Sequence, residues 1–312
     1  MLKRVLALSF LLLITGLTTR AEDRTPGTEK TNWLDQSHSA LQLRTQKAAV
    51  WFDNFFGDRH NEEDPATMRT RFTLGGKASQ HSDSDTYIRV RVKAKLPNLK
   101  ERFYLELTNE ELVDPSLPLE SQQLQNIGND TEDEYNAALS WLKRATSKEK
   151  ISARIGLRSG SHVYILGHYR RYHNLTKAVK LRLTPEIFID SGYGAGTRLM
   201  SELDHLLEHP GLIRFSAMGQ LAHRSEGVEW RSGLSYTYRL ANNEAIVWGF
   251  YLRGKSAGEY DVDNYLFSVR LRKQFLRSYL FYEVEPFMSW PAEDSYRTDH
   301  GIALNVQMVI GD

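Results

Sequence analysis

The chain has no cysteine among its 312 residues. A disulfide framework, a thiol nucleophile and a lipid-modified cysteine are therefore excluded, so burial and backbone pairing must stabilise the fold. The chain also has almost no excess of one sign of charge: it contains 40 basic and 39 acidic residues, and its formal net charge is +1. This balance gives no support for a nucleic-acid partner.

Long apolar runs are scarce as well. The mean hydropathy is −0.48, and beyond residue 17 no window supplies the roughly 20 apolar residues of a membrane helix, which excludes a helical membrane protein. The one apolar run, 5–17, follows Lys3 and Arg4 and precedes Thr19-Arg20-Ala21. This pattern predicts a secretory signal peptide over 1–21. The alternative is a buried N-terminal helix.

Residues 22–68 form a polar segment that differs in texture from the rest, and we expect it to be a periplasmic arm. Within it, 37–56 carries apolar residues at helical spacing before Gly57, which predicts one amphipathic helix. Such a helix would lie at the membrane surface, enter a barrel mouth or simply pack on the body.

The body, 69–312, has apolar residues at every second position, which is the period of a strand. In 87–96, the apolar positions are Ile88, Val90, Val92, Ala94 and Leu96, and the basic ones between them are Arg89, Arg91, Lys93 and Lys95. Turn signals such as Pro97-Asn98 and Asn242-Asn243 separate these runs. We predict a meander of about fourteen strands, beginning near 69, 85, 101, 134, 150, 162, 177, 193, 211, 228, 244, 263, 278 and 299. Twelve strands are the alternative.

Alternation also fits a soluble sandwich, so the content of the polar face decides between the two architectures. That face is rich in arginine, the strands are about nine to thirteen residues long, and aromatic residues gather near strand ends. These include Trp141, Tyr169, Tyr172, Tyr238, Trp248 and Trp290. We therefore predict an all-β, transmembrane, antiparallel up-and-down β-barrel. Tight connections at 97–100, 146–149, 173–176 and 241–244 would be periplasmic, and the longest connection, 109–134, external.

The parity of each strand then predicts a charged lumen. The inward basic residues are Arg71, Arg89, Arg91, Lys93, Lys95, Arg102, Arg154, Arg158, Lys180, Arg182, Arg198, Arg231, Arg239, Arg270 and Arg272. The inward acidic ones are Glu106, Glu186, Glu202, Glu229, Glu283 and Glu285. Basic rings attract anions and repel cations, so we expect a passive, anion-preferring pore. The alternative is a closed structural or surface-interaction barrel filled by Arg–Glu pairs.

Other motifs give weaker predictions. The acidic loop 109–134 could offer oxygen ligands to calcium, but its spacing matches no calcium loop. His223-Arg224-Ser225 resembles the His-x-Ser arrangement of outer-membrane phospholipases, which leaves a lipid hydrolase as a second alternative, although Thr237 stands near the position of the orienting amide. Residues 191–197 are glycine-rich but no helix follows, so we interpret them as a hairpin turn. His205 and His209 lack a third ligand. We predict no catalytic residue, metal or cofactor.

The body as a whole resembles proteobacterial outer-membrane β-barrel proteins of an uncharacterised, porin-like family. The resemblance covers 50–312 and rests on the segments Leu96-Pro97-Asn98-Leu99, Gly227-Val228-Glu229-Trp230 and 285–291. It implies the outer membrane of a Gram-negative bacterium, with its lipid, lipopolysaccharide and barrel-assembly machinery as partners. Small anionic solutes would be the passengers of the pore.

Overall fold

The computed structural model describes residues 68–81, 84–96, 103–109, 135–146, 148–158 and 162–311. These residues form fourteen strands. In chain order the strands are β1 (Met68–Ser79), β2 (Asp85–Lys95), β3 (Phe103–Thr108), β4 (Asn136–Ala145), β5 (Glu149–Arg158), β6 (His162–Asn174), β7 (Val179–Asp190), β8 (Gly194–Leu206), β9 (Gly211–Ala222), β10 (Glu229–Ala241), β11 (Glu244–Lys255), β12 (Asn264–Gln274), β13 (Leu280–Pro291) and β14 (Asp299–Ile310).

Each strand pairs antiparallel with its neighbours in the sequence, and β14 returns to pair with β1, so the sheet closes into a barrel. The closing register runs from Thr70 opposite Ile310 to Ser79 opposite Gly301. Closure leaves no free edge strand in the ring. The prediction of fourteen strands is confirmed, each beginning within two residues of the predicted position, and the twelve-strand alternative is wrong.

The described residues contain no helix long and apolar enough to cross a bilayer. The predicted signal peptide, the arm 22–67 and its amphipathic helix lie outside the described residues, so these stay predictions.

The connections distinguish the two ends of the barrel. The end that carries Met68 and Gly311, here called the terminal end, has the connections 96–102, 146–148, 175–178, 207–210, 242–243 and 275–279. Two of its turns are closed alike: the Thr146 hydroxyl accepts from the Glu149 amide and the Thr176 hydroxyl from the Val179 amide, both at 3.0 Å. Such hydroxyl-to-backbone bonds favour tight turns.

The opposite end, here called the loop end, has the connection 109–135 and the connections 223–228, 256–263 and 292–298. Not every connection at this end is long, because 159–161 and 191–193 have only three residues each. At 191–193 the reason is local: the Asp190 carboxylate accepts from the amides of Gly192 (2.7 Å) and Tyr193 (3.0 Å) and closes the turn.

The outward face of the barrel is apolar. Large hydrophobic side chains stand exposed there on strand after strand, with Ile187 at 70% and Ile88 at 63%. The described outward side chains that carry charge lie near the terminal end, where Glu149 is opposite Arg171 and Glu244 is opposite Lys273, with Lys143 close by. A wide belt of the outer surface is thus free of charge in the described strands.

Aromatic side chains border this belt at both ends. Near the terminal end Phe103 stacks on Trp141 with ring centroids 6.5 Å apart, and Tyr236 packs on Trp248 at 5.7 Å. Near the loop end Tyr265 packs on Tyr296 at 5.7 Å. Tyr172 departs from this arrangement: it shares the inward parity of β6, and the Arg182 guanidinium lies 5.5 Å from its ring centre.

Candidate functional site

The predicted lumen residues all lie on the inward faces of their strands, apart from Arg102, which lies outside the described residues. Their parity is fixed by buried neighbours two positions away, as Tyr87 fixes it for Arg89 and Thr184 for Arg182. The same parity places further charged residues inside that the sequence interpretation missed. These are Arg69, Lys77, Asp85, Lys150, Arg170, Asp190, Asp204, Arg214, Arg253, Lys255 and Asp299.

The missed residues could have been found from the two-residue period of the strands. Arg214 lies between Ile213 and Phe215, and Arg170 lies two positions from His168, so extending the two-residue period through β9 and β6 would have found both. Adjacent Arg170 and Arg171 obscure the pattern, because one points inward and the other outward.

The interior charges differ between two parts of the ring. The inward face of β1–β6, here called the basic wall, carries Arg69, Arg71, Lys77, Arg89, Arg91, Lys93, Lys95, Lys150, Arg154, Arg158 and Arg170, against the described acids Asp85 and Glu106. The inward face of β7–β14, here called the balanced wall, carries Lys180, Arg182, Arg198, Arg214, Arg231, Arg239, Arg253, Lys255, Arg270 and Arg272, against Glu186, Asp190, Glu202, Asp204, Glu229, Glu283, Glu285 and Asp299. Positive charge is therefore concentrated on one side of the interior.

The balanced wall is held by ion pairs between residues that lie opposite each other on neighbouring strands. On β7–β9, Arg182 Nη1 lies 2.9 Å from Glu202, Arg198 Nη1 lies 3.0 Å from Glu186, and Arg214 Nε lies 2.6 Å from Asp204. The cross-strand register places each of these pairs side by side. Pairing of this kind offsets the cost of taking the charges out of water.

A second group of pairs lies on β12–β14. Arg270 Nε donates to Glu285 at 2.8 Å, and Arg272 bonds Glu283 and donates to Gln307 at 2.8 Å. The Arg272 guanidinium also lies 4.4 Å from the centre of the Phe281 ring. All four charged groups are nearly inaccessible, so this part of the interior is packed.

The basic wall is arranged differently. Glu106 lies 3.2 Å from Arg91 and 3.7 Å from Arg154, so one carboxylate serves two guanidinium groups. Arg89 lies 3.9 Å from the centre of the Tyr87 ring, and Lys93 lies 5.7 Å from that of Tyr104, contacts in which an aromatic face attracts a cation. These cations remain partly exposed.

Two acids are more deeply buried than the arginines beside them. Glu186 is 1% exposed and Glu106 is 3% exposed, whereas the side-chain exposures are 21% for Arg198 and 14% for Arg154. The pairs of Arg214 with Asp204 and of Arg272 with Glu283 are buried on both sides. On the basic wall, where Glu106 is one of two described acids, the accessible charge is therefore mainly that of the cations.

Aromatic rings line the interior towards the loop end by lying against glycines on the adjacent strand. An alanine β-carbon at Gly156 would stand 2.6 Å from a ring carbon of Tyr164, and one at Gly233 would stand 2.6 Å from a ring carbon of Tyr251. Gly75 with Tyr87, Gly196 with Phe188 and Gly301 with Phe287 repeat the arrangement, and each pair lies directly opposite in the register. An aromatic ring over a glycine fills the space that a side chain would occupy there and shields the backbone.

The remaining motifs take structural positions. The Ser225 hydroxyl bonds within its own turn, donating to a carbonyl of Ala222 (2.9 Å) or Gly227 (3.0 Å) and accepting from the Ala222 amide (3.0 Å). Turn closure accounts for that hydroxyl. Residues 191–193 form a hairpin turn, and Gly194 follows at φ 80°. Within the described residues no group of His, Asp and Glu is arranged to hold a metal ion.

No family model matches the chain, and no curated protein matches it. Solved structures that are similar to it include outer-membrane-expressed OmpT of Vibrio cholerae, with 8% identity over 78% of this chain and 97% of that one and a TM-score of 0.46. OccK11 (OpdR) of Pseudomonas aeruginosa has 9% identity over 79% and 95%, with a TM-score of 0.44. The KdgM porin in complex with disordered oligogalacturonate has 5% identity over 76% and 98%, with a TM-score of 0.38. By their names, KdgM is a porin and OmpT is expressed in the outer membrane.

Proposed function

We propose that the chain is an outer-membrane β-barrel that forms a passive pore with a preference for anions. The membrane part rests on the inverted distribution of polarity: the outward belt is apolar and exposed, and the interior holds the charges. In water such a belt would cost about 25 cal/mol for each Å² of apolar surface, whereas lipid tails accept it without that cost. Outer-membrane lipid and lipopolysaccharide are then the surroundings of the belt, and the barrel-assembly machinery is the insertion route.

The anion preference rests on one observation, the accessible cations of the basic wall. Because the described basic wall carries eleven cations against two acids, and Glu106 is buried between Arg91 and Arg154, a solute in the lumen meets guanidinium and ammonium groups on that side. A surface of one sign raises the local concentration of counter-ions and disfavours co-ions.

The test is conductance of the purified chain in a planar bilayer under a KCl gradient. We expect channels whose reversal potential lies towards the chloride equilibrium potential. The double variant Arg89→Glu/Lys93→Glu should shift that potential towards potassium, because it replaces two accessible cations by anions. Arg91 is left in place since it pairs with Glu106 and its reversal would endanger folding.

The matched control is Lys177→Glu/Arg277→Glu, which makes the same change of charge at exposed turn positions of the terminal end. Its reversal potential should stay near that of the unaltered chain, because charges outside the lumen are screened within about 10 Å at 0.1 M salt. An equal shift in both variants would show that the basic wall does not set the selectivity, and absence of conductance would refute the pore.

A closed structural or surface-interaction barrel is the second candidate, and the packed ion pairs of the balanced wall favour it. Arg270 with Glu285 and Arg214 with Asp204 are almost completely buried, as expected where side chains fill the interior. The same bilayer experiment distinguishes the two candidate functions. A chain that inserts, shows heat-modifiable migration on a gel and passes no current in repeated recordings would be a closed barrel.

A further inference from the structure

A small cavity opens beside the basic wall between β2 and β6. It measures about 40 Å³ and is lined by residues of five strands, β2–β6; the polar and basic ones include Lys93, Ser140, Lys150, Ser152, Arg154 and His168. One water needs roughly 10–15 Å³ by this kind of measure, so the cavity admits a group of several heavy atoms.

The chemistry of the lining is that of an oxyanion site. Lys93 and Arg154 contribute positive charge, and the Lys150 amine with the hydroxyls of Ser140, Ser152 and Tyr104 adds donors. No carboxylate belongs to the described part of the lining. Two acids lie behind it: Glu106 is 3.7 Å from Arg154 Nη2, and Glu186 is 3.0 Å from His168 Nδ1.

Hydrogen bonds to neighbouring side chains hold Arg154 and His168 of this lining in place. Arg154 Nε donates to the Ser140 hydroxyl at 3.0 Å, which orients the guanidinium, and His168 Nδ1 lies 3.0 Å from Glu186 Oε1, which orients the imidazole. Groups whose rotamers are held by neighbours bind a ligand with less loss of conformational entropy than free surface lysines do.

We infer that this cavity is a discrete binding site for one small oxyanion, such as phosphate or a carboxylate. The inference rests on the proposed function in so far as the anion reaches the cavity through the lumen. Charge-assisted bonds to oxygen are about twice as strong as neutral ones, so an anion held by two or three cations would dwell there longer than in the rest of the lumen.

The test is calorimetric titration of the full chain in detergent micelles with inorganic phosphate, repeated with acetate. We expect saturable binding, weakened at least tenfold in Lys150→Gln and in Arg154→Gln. Lys180→Gln is the matched control: it removes an inward lysine of β7 that does not line the cavity, and it should bind as the unaltered chain does. Heat-modifiable gel migration verifies that each variant is folded.

Each result decides the matter. Loss of binding in Lys150→Gln and Arg154→Gln, with retention in Lys180→Gln, supports the site. Equal weakening in all three would show a diffuse field in place of a site, and no binding by the folded, unaltered chain would overturn the inference. The proposed pore is tested separately by conductance. Binding without current would refute the pore and support the binding site. Current without binding would support the pore and refute the binding site.

Discussion

The glycine at position 301 should be intolerant of even one added methyl group. Gly301 lies opposite Phe287 in the β13–β14 register, and the ring covers it. A β-carbon at this position would stand 2.6 and 2.7 Å from ring carbons Cε1 and Cε2 of Phe287. The ring atom Cζ would stand closer still. Carbon atoms prefer about 3.5–4.0 Å, so the ring must retreat by more than about 1 Å.

Retreat is hindered because Phe287 is itself buried against Tyr251 and Leu266. Overpacking of this kind costs about 1–3 kcal/mol, so we expect Gly301→Ala to lower the free energy of unfolding by about 2 kcal/mol. Truncating the ring removes the clash. In a Phe287→Ala background the same glycine substitution should therefore cost close to nothing, which gives a coupling energy of about 2 kcal/mol.

The assay is equilibrium urea unfolding in lipid vesicles, followed by tryptophan fluorescence, for the two single variants and the double variant. Gly219→Ala is the control, because its β-carbon would meet only Val228 Cγ1, at an ordinary 3.7 Å. The reasoning about ring and glycine fails if Gly301→Ala is as stable as Gly219→Ala, or if the two changes at 287 and 301 add within about 0.5 kcal/mol.

Three further predictions concern the outward and inward faces of the barrel. Ile187→Lys places a charge on the lipid-facing belt and should cost about 2–4 kcal/mol if the site lies near the midplane, seen as a lower yield of folding into vesicles; unchanged insertion would contradict a lipid contact. Glu285→Gln leaves Arg270 buried without its charge partner and should cost about 3 kcal/mol in urea unfolding. Lys273→Ala breaks an ion pair whose lysine is 39% exposed, so the loss of stability should be much smaller than in Glu285→Gln; equal losses in the two variants would refute the distinction by burial.

The positions of the strands and the side each residue faces could be predicted from the sequence. The period of two is a local property of extended backbone, so Ile88 and Arg89 must point to opposite faces whatever surrounds them. The parity interpretation placed Arg89, Arg182 and Arg270 inward, and the structure places them there. It was less successful where alternation is obscured, as on β6, where Arg170 and Arg171 are adjacent and the inward Arg170 was missed.

The pairs inside the barrel could not be predicted in this way. That Arg182 lies opposite Glu202, or that Phe287 covers Gly301, depends on the stagger between strands. Stagger is set by the turns and by closure of the whole ring. The cavity beside Lys150 likewise needs five strands in register before its lining exists.

The sequence by itself determined an all-β chain whose strands have one apolar and one charged face, because side-chain direction alternates residue by residue along any strand. Only the tertiary structure decided between fourteen and twelve strands, which arginine pairs with which acid, and that cations are concentrated on β1–β6. These properties depend on contacts between residues distant in the chain, and such contacts form only when the last strand meets the first.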